Sequence, residues 1–346
     1  MEQKNFDPDG VGVDNGTYFG LPFAPETAEL VLISAPWDVT VSYGAGAAYA
    51  PDAIIEASTQ LDFHDPLAPG VWRRGIATAD VDYSLLESSQ RLRADAARVI
   101  DHLEGGGCLE DDYVVRKVRR VNEGCMSMNA NVGAQASRWL DAGKTVGLVG
   151  GDHSTPYGLI RALGARHAAF GILHVDAHCD LRDAYEGFEF SHASIMFNVL
   201  RDVPSVKKIA QVAVRDFSGT EAALAASSAR VATFDDLSLA AAMFRGETWD
   251  ALCRRIVDAL PQEVYVSFDI DGLTFENCPH TGTPVCGGLT FNQAVWLLDT
   301  LVRSGRRIIG FDVVEVAPAP EAKVDAITGA RMLWKLCNLT LKSNGQ

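Results

Sequence analysis

Eight short runs of apolar and β-branched residues, each followed by turn residues and a longer helix-like segment, constrain the fold of this 346-residue chain most strongly. In chain order they are AELVLISAP, GIATADVD, TVGLVGGDHS, FGILHVDAH, KIAQVAV, RVATF, EVYVSFDID and RIIGFDVVEV. Buried runs that alternate with helices are typical of a parallel sheet covered on both faces. The pattern therefore predicts an α/β protein in three layers, α/β/α, with a mostly parallel eight-stranded sheet.

Helical periodicity marks the segments APDAIIEAS, QRLRADAARVIDHL, MNANVGAQASRWLDAG, STPYGLIRALGARH, FNQAVWLLDTLVRSG and AITGARMLWKLCNLTL. No internal repeat or linker-like composition divides the sequence, so we expect one domain over residues 29–346. Residues 1–28 are rich in Gly, Pro and Asp, and we expect them to form an extended N-terminal arm.

The composition limits the kinds of partner. A formal net charge of −15 disfavours nucleic acid, because phosphate backbones are bound by clustered Lys and Arg, and it suits a small cationic molecule better. No stretch reaches the roughly 18 uncharged apolar residues of a membrane span, and MEQKNFDPDG lacks the pattern of a secretory signal. Seven cysteines without a CxxC pair indicate reduced thiols. We therefore expect a cytoplasmic protein that binds neither nucleic acid nor membrane.

Acidic and histidine side chains gather where predicted strands end, namely in GGDHS, HVDAHCD, SFDID and FDVVEV. In open α/β sheets, binding and catalytic groups lie at the carboxyl ends of the strands. Within HVDAHCD, the residues Asp176, His178 and Asp180 alternate, so they share one face if the strand continues. Asp269 and Asp271 repeat this spacing in SFDID.

Four carboxylates on neighbouring strand ends cannot all stay ionised without a cation. Mixed Asp and His ligands favour Mn²⁺, Fe²⁺, Co²⁺, Ni²⁺ or Zn²⁺ over Mg²⁺ and Ca²⁺. A pair of such ions, typically about 3.5–4 Å apart, can share a hydroxide at neutral pH. The strand ends therefore predict a dinuclear metal site.

Together the motifs GGDHS, HVDAHCD and SFDIDGL…TGTPVCGGLT resemble the signatures of the ureohydrolase family, which includes arginase, agmatinase and guanidinobutyrase. The resemblance begins near ISAPWDVTVSYGAGAAYAPDAIIEAS and continues to the C-terminal helix, so it covers most of the chain. It implies an arginase-like fold and two divalent metal ions per chain.

The resemblance also implies four ligands for each ion. One ion would be held by His153, Asp176, Asp180 and Asp269. The other would be held by Asp176, His178, Asp269 and Asp271, so that Asp176 and Asp269 bridge the two. His174 is expected to support these ligands through a hydrogen bond, and Cys179 is expected to point away from them.

The implied reaction is hydrolysis of a guanidino group to urea plus an amine or ammonia by a hydroxide that bridges the two metals. Glu315 matches the glutamate that binds and orients the guanidinium, for which a carboxylate offers two planar acceptors. His192 matches the histidine that carries a proton to the departing amine; the alternative is a histidine that only caps the following helix. Thr281 and His280 are further candidates for substrate contacts.

The chain departs from the common family pattern after SFDIDGL, where Thr274-Phe275 replaces an Asp-Pro pair beside the site. The segments CPHTGTPV, PWDVTVSYGAGAA and DNGTYFGLPF resemble the branch that contains guanidine hydrolase, dimethylguanidine hydrolase and metformin hydrolase. That branch implies Ni²⁺, with Mn²⁺ as the alternative. It also implies a homo- or hetero-oligomer, a trimer or hexamer, with a related chain.

Mostly aromatic residues in the loops suit a small delocalised cation: Trp37, Tyr43, Tyr185, Phe188, Phe190, Phe275 and His280. The alternative is that most of these aromatic residues are core or interface residues. Agmatinase or guanidinobutyrase activity is the main alternative, with Asp183 or Glu186 as anchors for an ammonium tail. The complete ligand set disfavours both a non-catalytic partner subunit and a mononuclear zinc deacetylase.

Overall fold

A computed structural model describes residues 6–319 and 321–345 of the chain. Its eight strands are β1 Leu30–Ala35, β2 Ile76–Thr78, β3 Thr145–Gly150, β4 Phe170–Val175, β5 Val206–Val212, β6 Val231–Phe234, β7 Glu263–Asp269 and β8 Arg307–Val314. They form one sheet in the order β2-β1-β3-β8-β7-β4-β5-β6, and every pairing is parallel. The predicted eight-stranded parallel sheet is confirmed, and each strand lies within or overlaps its predicted run.

The helices cover the sheet. They are α1 Ala50–Ser58, α2 Tyr83–Glu104, α3 Asp112–Asp141, α4 Tyr157–Gly164, α5 Ile195–Asp202, α6 Gly219–Ser227, α7 Asp236–Phe244, α8 Trp249–Asp258, α9 Phe291–Arg303 and α10 Val324–Ser343. Local signals fix several starts: Ser218 with Glu221 and Thr290 with Gln293 form capping boxes, and Pro51 lies in the first turn of α1. The three-layer α/β/α architecture is confirmed.

Two apolar cores fill the space between sheet and helices. Strand residues alternate between them, so that Leu30 and Leu32 of β1 belong to one core and Val31 and Ile33 to the other. This period of two is the geometry of any strand with both faces buried. The sheet is therefore held rigidly in the middle of the molecule.

Residues 6–28 lie against the core that contains Leu30 and Leu32, and some of their side chains are part of it. A short 3₁₀ turn at Tyr18–Gly20 places the Phe19 ring 4.9 Å from the Trp334 ring, and the Tyr18 hydroxyl lies 2.8 Å from Ser34 Oγ. Both aromatic residues are buried. The division at residue 28 stays a prediction, and residues 1–5 lie outside the described residues.

The order of the strands decides where the chemistry can occur. The four strands that end in GGDHS, FDVVEV, SFDID and HVDAHCD are β3, β8, β7 and β4, and they are consecutive in the sheet. Because parallel neighbours end at the same edge, the four motifs meet there.

Among the described residues, no helix is long and apolar enough to cross a membrane.

Candidate metal centre

The first cluster of candidate ligands surrounds His153, which follows β3. Its Nδ1 atom lies 2.9 Å from Asp176 Oδ2, 3.1 Å from Asp180 Oδ2 and 3.2 Å from Asp269 Oδ2. All four side chains are buried. These are the four residues expected to hold one ion, and the structure brings them together.

The second cluster surrounds His178, whose Nδ1 atom lies 3.4 Å from Asp176 Oδ1 and 3.2 Å from Asp271 Oδ2. The two oxygens of Asp176 thus face different histidines, as a carboxylate that bridges two ions requires. Asp269 directs Oδ2 to His153 and accepts a hydrogen bond from the Asp271 backbone N–H on Oδ1, at 2.9 Å. The structure thus brings Asp176, His178 and Asp271 together, and the assignment of four ligands to each ion, with Asp269 as a second bridge, stays a prediction.

The hydrogen bonds of His153 show which ring nitrogen carries the hydrogen and which presents a lone pair to the carboxylates. Ser267 Oγ donates to Asp312 Oδ2 at 2.9 Å, so it can only accept from His153 Nε2, which lies 2.9 Å away. In the neutral ring the hydrogen is then on Nε2, and the Nδ1 lone pair faces three carboxylates. Nδ1 forms no hydrogen bond within residues 6–319 and 321–345. A cation among these groups would remove the repulsion between the Nδ1 lone pair and the carboxylate oxygens.

Charge and burial lead to the same requirement. Burial, together with the charges of Asp271 and Asp176, raises the pKa of Asp269 well above its usual range. Burial and the Asp176 charge raise the pKa of Asp180 to about 6. Burial lowers the pKa of His153, but its carboxylate neighbours raise it more, to well above the usual value. Carboxylates this crowded ionise together only around a positive charge.

The spacing of the donors fits divalent ions. Adjacent ligand atoms of an octahedral ion with bonds of about 2.1 Å lie about 3 Å apart, and the His153 cluster shows 2.9–3.2 Å. Oxygen and imidazole donors together suit Mn²⁺, Ni²⁺ and related ions. The residues present therefore fit a pair of such ions.

Buried polar groups hold the ligands from behind. His174 Nε2 lies 2.7 Å from Asp176 Oδ2, and Gln211 Nε2 lies 3.2 Å from His174 Nδ1. His174 is thus placed for the supporting role expected of it, and such partners orient metal ligands and tune their basicity. Cys179 is buried in the apolar core of the α3 side of the sheet. Sequence reasoning missed Ser267, Asp312 and Gln211, although Ser267 continues the alternation of Asp269 and Asp271 and could have been found.

Backbone geometry at three positions shapes the site. Asp180 and Glu315 have φ angles of 53° and 61°, which non-glycine residues rarely adopt and which cost on the order of 1–3 kcal/mol each. Gly151 lies where a Cβ atom would be 1.8 Å from the Trp37 carbonyl oxygen, so the second glycine of GGDHS permits this close approach. The loop after β1 can therefore reach the metal centre.

Glu315 lies at the end of β8, buried beside the first cluster. Its Oε1 accepts a hydrogen bond from the His153 backbone N–H at 2.8 Å, and its own N–H donates to the Gly151 carbonyl at 2.8 Å. Thr281 Oγ1 donates to the Glu315 carbonyl oxygen at 2.9 Å. Burial and the Asp152 charge raise the pKa of the Glu315 carboxyl well above its usual range, so a bound cation would favour its ionised form.

His192 lies opposite Glu315, with Nδ1 3.8 Å from Glu315 Oε1. Its backbone N–H donates to Thr40 Oγ1 at 3.0 Å, and its Nε2 lies 3.4 Å from Ser42 Oγ. Burial lowers the pKa of His192 to about 3, and the charges of nearby histidines lower it too. Burial thus favours the neutral imidazole, which can donate from only one nitrogen at a time.

The remaining residues expected to contact substrate lie in different surroundings. His280 is directed to α10, where Nδ1 lies 2.7 Å from Asp325 Oδ2, and its predicted contact with substrate stays a prediction. Trp37 and Phe188 are buried core residues, Phe190 packs partly buried against the same core, and Tyr43 and Tyr185 line the cavity described below. Phe275, in the segment that departs from the family pattern, is 48% exposed in a 3₁₀ turn.

One cavity of about 440 Å³ opens above both clusters. Two candidate ligands, one from each cluster, line it together with residues of the surrounding segments. The lining residues are Ser42, Tyr43, His178, Asp180, Arg182, Tyr185, His192, Ala193, Asp216, Glu221, Thr283, Pro284 and Val285. The Arg182 guanidinium stacks on the Tyr185 ring at 4.4 Å and lies 3.6 Å from Glu221. A small molecule in this cavity can contact both the ligands and His192.

Comparison with known proteins bears on the family and the fold. An N(1)-aminopropylagmatine ureohydrolase of Thermus thermophilus is 30% identical over 315 residues, 91% of each chain, and an agmatinase of Escherichia coli is 28% identical over 92% of this chain and 90% of its own. The solved proclavaminate amidino hydrolase of Streptomyces clavuligerus, 21% identical, superposes with a TM-score of 0.72 over 94% of this chain and 97% of its own, and so supports the fold. The family model for the arginase family matches residues 28–338. The chain therefore belongs to the arginase family of ureohydrolases.

Proposed function

We propose that this protein hydrolyses a small guanidine compound (metformin, dimethylguanidine or guanidine) to urea plus an amine or ammonia. One observation carries the reaction class: two carboxylate–imidazole clusters share Asp176 and open into a cavity lined by His192, whose Nδ1 lies 3.8 Å from the buried Glu315 Oε1. Family membership supports the metal-dependent hydrolysis of a guanidino group in general. The choice of substrate is the finer part of the proposal.

Six residues would hold two divalent ions, namely His153, Asp176, His178, Asp180, Asp269 and Asp271. Such ions lower the pKa of bound water and so make a hydroxide available at neutral pH. We favour Ni²⁺, with Mn²⁺ as the alternative, because the sequence segments that resemble the guanidine hydrolase branch imply nickel.

The protein's own residues would bind and orient the substrate. Glu315 is buried and lacks a cationic side-chain partner among the described residues, so a guanidinium would favour its ionised form and donate hydrogen bonds to its planar carboxylate. His192 would hold a proton for the departing nitrogen. Thr281 would keep the Glu315 backbone in its strained conformation through the hydrogen bond to its carbonyl.

The loop side of the cavity supports a small substrate. Tyr43, Thr283, Pro284 and Val285 line it without a formal charge. Besides the ligands, the charged lining residues are Arg182 and Glu221, which lie 3.6 Å apart, and Asp216. The tyrosine ring can stack on a delocalised cation. These contacts suit a guanidine, methylated or not, better than a long polyamine.

A second candidate is agmatinase-like activity. Asp216 lines the same cavity, is exposed and could bind a terminal ammonium group. The relatives named above include an agmatinase and an N(1)-aminopropylagmatine ureohydrolase. Asp216→Asn tests this candidate directly, because it removes the charge and keeps the shape.

The test is a urea-release assay on protein stripped of metal and reloaded with Ni²⁺ or Mn²⁺. Metformin, dimethylguanidine, guanidine, agmatine and guanidinobutyrate are compared at equal concentration. We expect urea from at least one of the first three, most with Ni²⁺. Urea from agmatine alone, lost in Asp216→Asn, would establish the second candidate. Fewer than about one metal per chain after loading would contradict a dinuclear enzyme and favour a non-catalytic subunit.

We further propose that the chain forms a homo- or hetero-oligomer, a trimer or hexamer, with itself or a related chain. Light scattering on the purified protein, alone and co-expressed with a related chain, measures this. A monomer in both cases would contradict the proposal. The cytoplasmic location also stays a prediction.

A further inference from the structure

The loop after β1 contacts both the backbone and the ring of His192. Thr40 Oγ1 accepts a hydrogen bond from the His192 backbone N–H at 3.0 Å, and Ser42 Oγ lies 3.4 Å from His192 Nε2. Thr40 is fully buried, whereas Ser42 is partly exposed and lines the cavity. Thr40 thus fixes the position of His192, and Ser42 connects its ring to the cavity.

We infer that Ser42 is a positioning residue that relays a proton from cavity water to His192 Nε2 when Nδ1 gives its proton to the departing nitrogen. The inference rests on the proposed function, in which His192 supplies that proton. Two features support it: Nδ1 faces Glu315, where the guanidinium would bind, and Nε2 faces a hydroxyl that reaches solvent. A serine hydroxyl donates and accepts at the same time, so it can pass a proton without a lasting charge.

The proton balance of the step is closed. The carbon–nitrogen bond breaks, its electron pair goes to the leaving nitrogen, and that nitrogen takes the proton of His192 Nδ1. Nε2 takes the Ser42 hydroxyl proton, Ser42 takes a proton from a water molecule in the cavity, and the hydroxide so formed takes the proton that the new urea releases from its oxygen, so that water is restored. His192 remains neutral throughout and changes only its tautomer, which suits a site where burial disfavours the imidazolium form.

A double-mutant cycle tests the inference in the metal-loaded protein. Ser42→Ala removes the relay, Ser42→Thr keeps a hydroxyl, and His192→Ala removes the group through which Ser42 acts. Ser227→Ala is the matched control, since Ser227 is exposed at the end of α6. We expect Ser42→Ala to lower kcat about tenfold with KM nearly unchanged, as part of the 10²–10⁴-fold worth of general acid catalysis. Ser42→Thr should retain most of the activity.

The cycle distinguishes a relay from a separate role. If Ser42 acts through His192, adding Ser42→Ala to His192→Ala costs no further activity, and the solvent deuterium isotope effect on kcat changes in Ser42→Ala but not in Ser227→Ala. Losses that multiply in the double variant, or an effect confined to KM, would overturn the inference.

A second measurement does not depend on turnover. The ¹⁵N resonances of histidine-labelled protein, assigned to His192 with the His192→Ala variant, report which ring nitrogen carries the proton. We expect Ser42→Ala to shift the Nε2 resonance of His192, while the thermal unfolding midpoint and metal content stay those of the parent. An unchanged resonance would show that no contact exists. Absence of urea from every guanidine compound, with the resonance shifted, would instead contradict the proposed function alone.

Discussion

The two sides of the cavity are built differently. The metal side consists of residues at the ends of β3, β4, β7 and β8, and its ligands are buried and held by neighbouring polar groups. The loop side comprises Tyr43, Tyr185, Thr283, Pro284 and Val285, which are exposed or half-buried. We expect residues at the rigid sheet edge to determine the type of reaction and residues of the surface loops to determine substrate specificity. Substitutions on the two sides should therefore differ in size and in the kinetic constant that they change.

The largest effect is expected for Asp269→Asn on the metal side. Asp269 contacts both the His153 ligand and the Asp271 backbone, and the amide removes a charge that the metals need. We expect the loss of at least one metal per chain and a fall in kcat above about 10⁴-fold, beyond the 10²–10⁴-fold worth of general acid catalysis. Elemental analysis and the urea assay measure the two results. Full metal content with normal turnover would refute the bridging assignment.

His192→Ala should give the next largest effect. The imidazole lies outside the ligand clusters and lines the cavity, so its loss should lower kcat about 10²–10⁴-fold and leave the metal content intact. The same elemental analysis decides the assignment. If this variant lost metal, His192 would belong to the metal centre and not to proton transfer.

The sequence predicts the metal side far better than the loop side, for a physical reason. Alternation would place Asp176, His178 and Asp180 on one face only if the strand continued. The structure corrects this expectation, because β4 ends at Val175 and Asp180 has a φ of 53°, so the turn after the strand brings the three side chains together. Parallel strands that end in acidic residues are expected to meet at one edge, although their order in the sheet depends on packing that no single motif records.

The loop side depends on contacts between distant segments. Nothing in the sequence near His280 shows that Asp325 is its partner, and nothing near Ser42 shows that His192 is. The predicted helical segments omit α5, α6, α7 and α8. For α6 and α7 the reason is that Ala-rich segments such as EAALAAS and LAAAMF show little separation of apolar and polar faces. Helices α5 and α8 do separate these faces and could have been found. Tertiary contacts, rather than local pattern, decide the other features.

Ser267→Ala tests whether the metal side depends on groups behind the ligands. It removes the acceptor of His153 Nε2 and the donor to Asp312, so the ring loses its fixed tautomer. We expect metal affinity to fall about 10–100-fold, as for other supporting partners, by competition with a chelator. Ser34→Ala is the matched control, because Ser34 is a buried strand serine whose side chain forms a hydrogen bond only with the Tyr18 hydroxyl among the described residues. An equal loss in both variants would mean a general effect on stability.

The smallest effect is expected on the loop side, for Tyr43→Ala. Tyr43 is 83% exposed at the cavity, and stacking on a cation at an exposed site is worth about 0.5–1 kcal/mol. That energy corresponds to a rise in KM of about two- to fivefold for metformin or guanidine, with kcat and metal content unchanged. Tyr113→Ala, which removes an exposed tyrosine of α3, should leave both constants as they are. A large fall in kcat in Tyr43→Ala would show that the loop side takes part in the reaction itself, and the division between a side for chemistry and a side for selection would then fail.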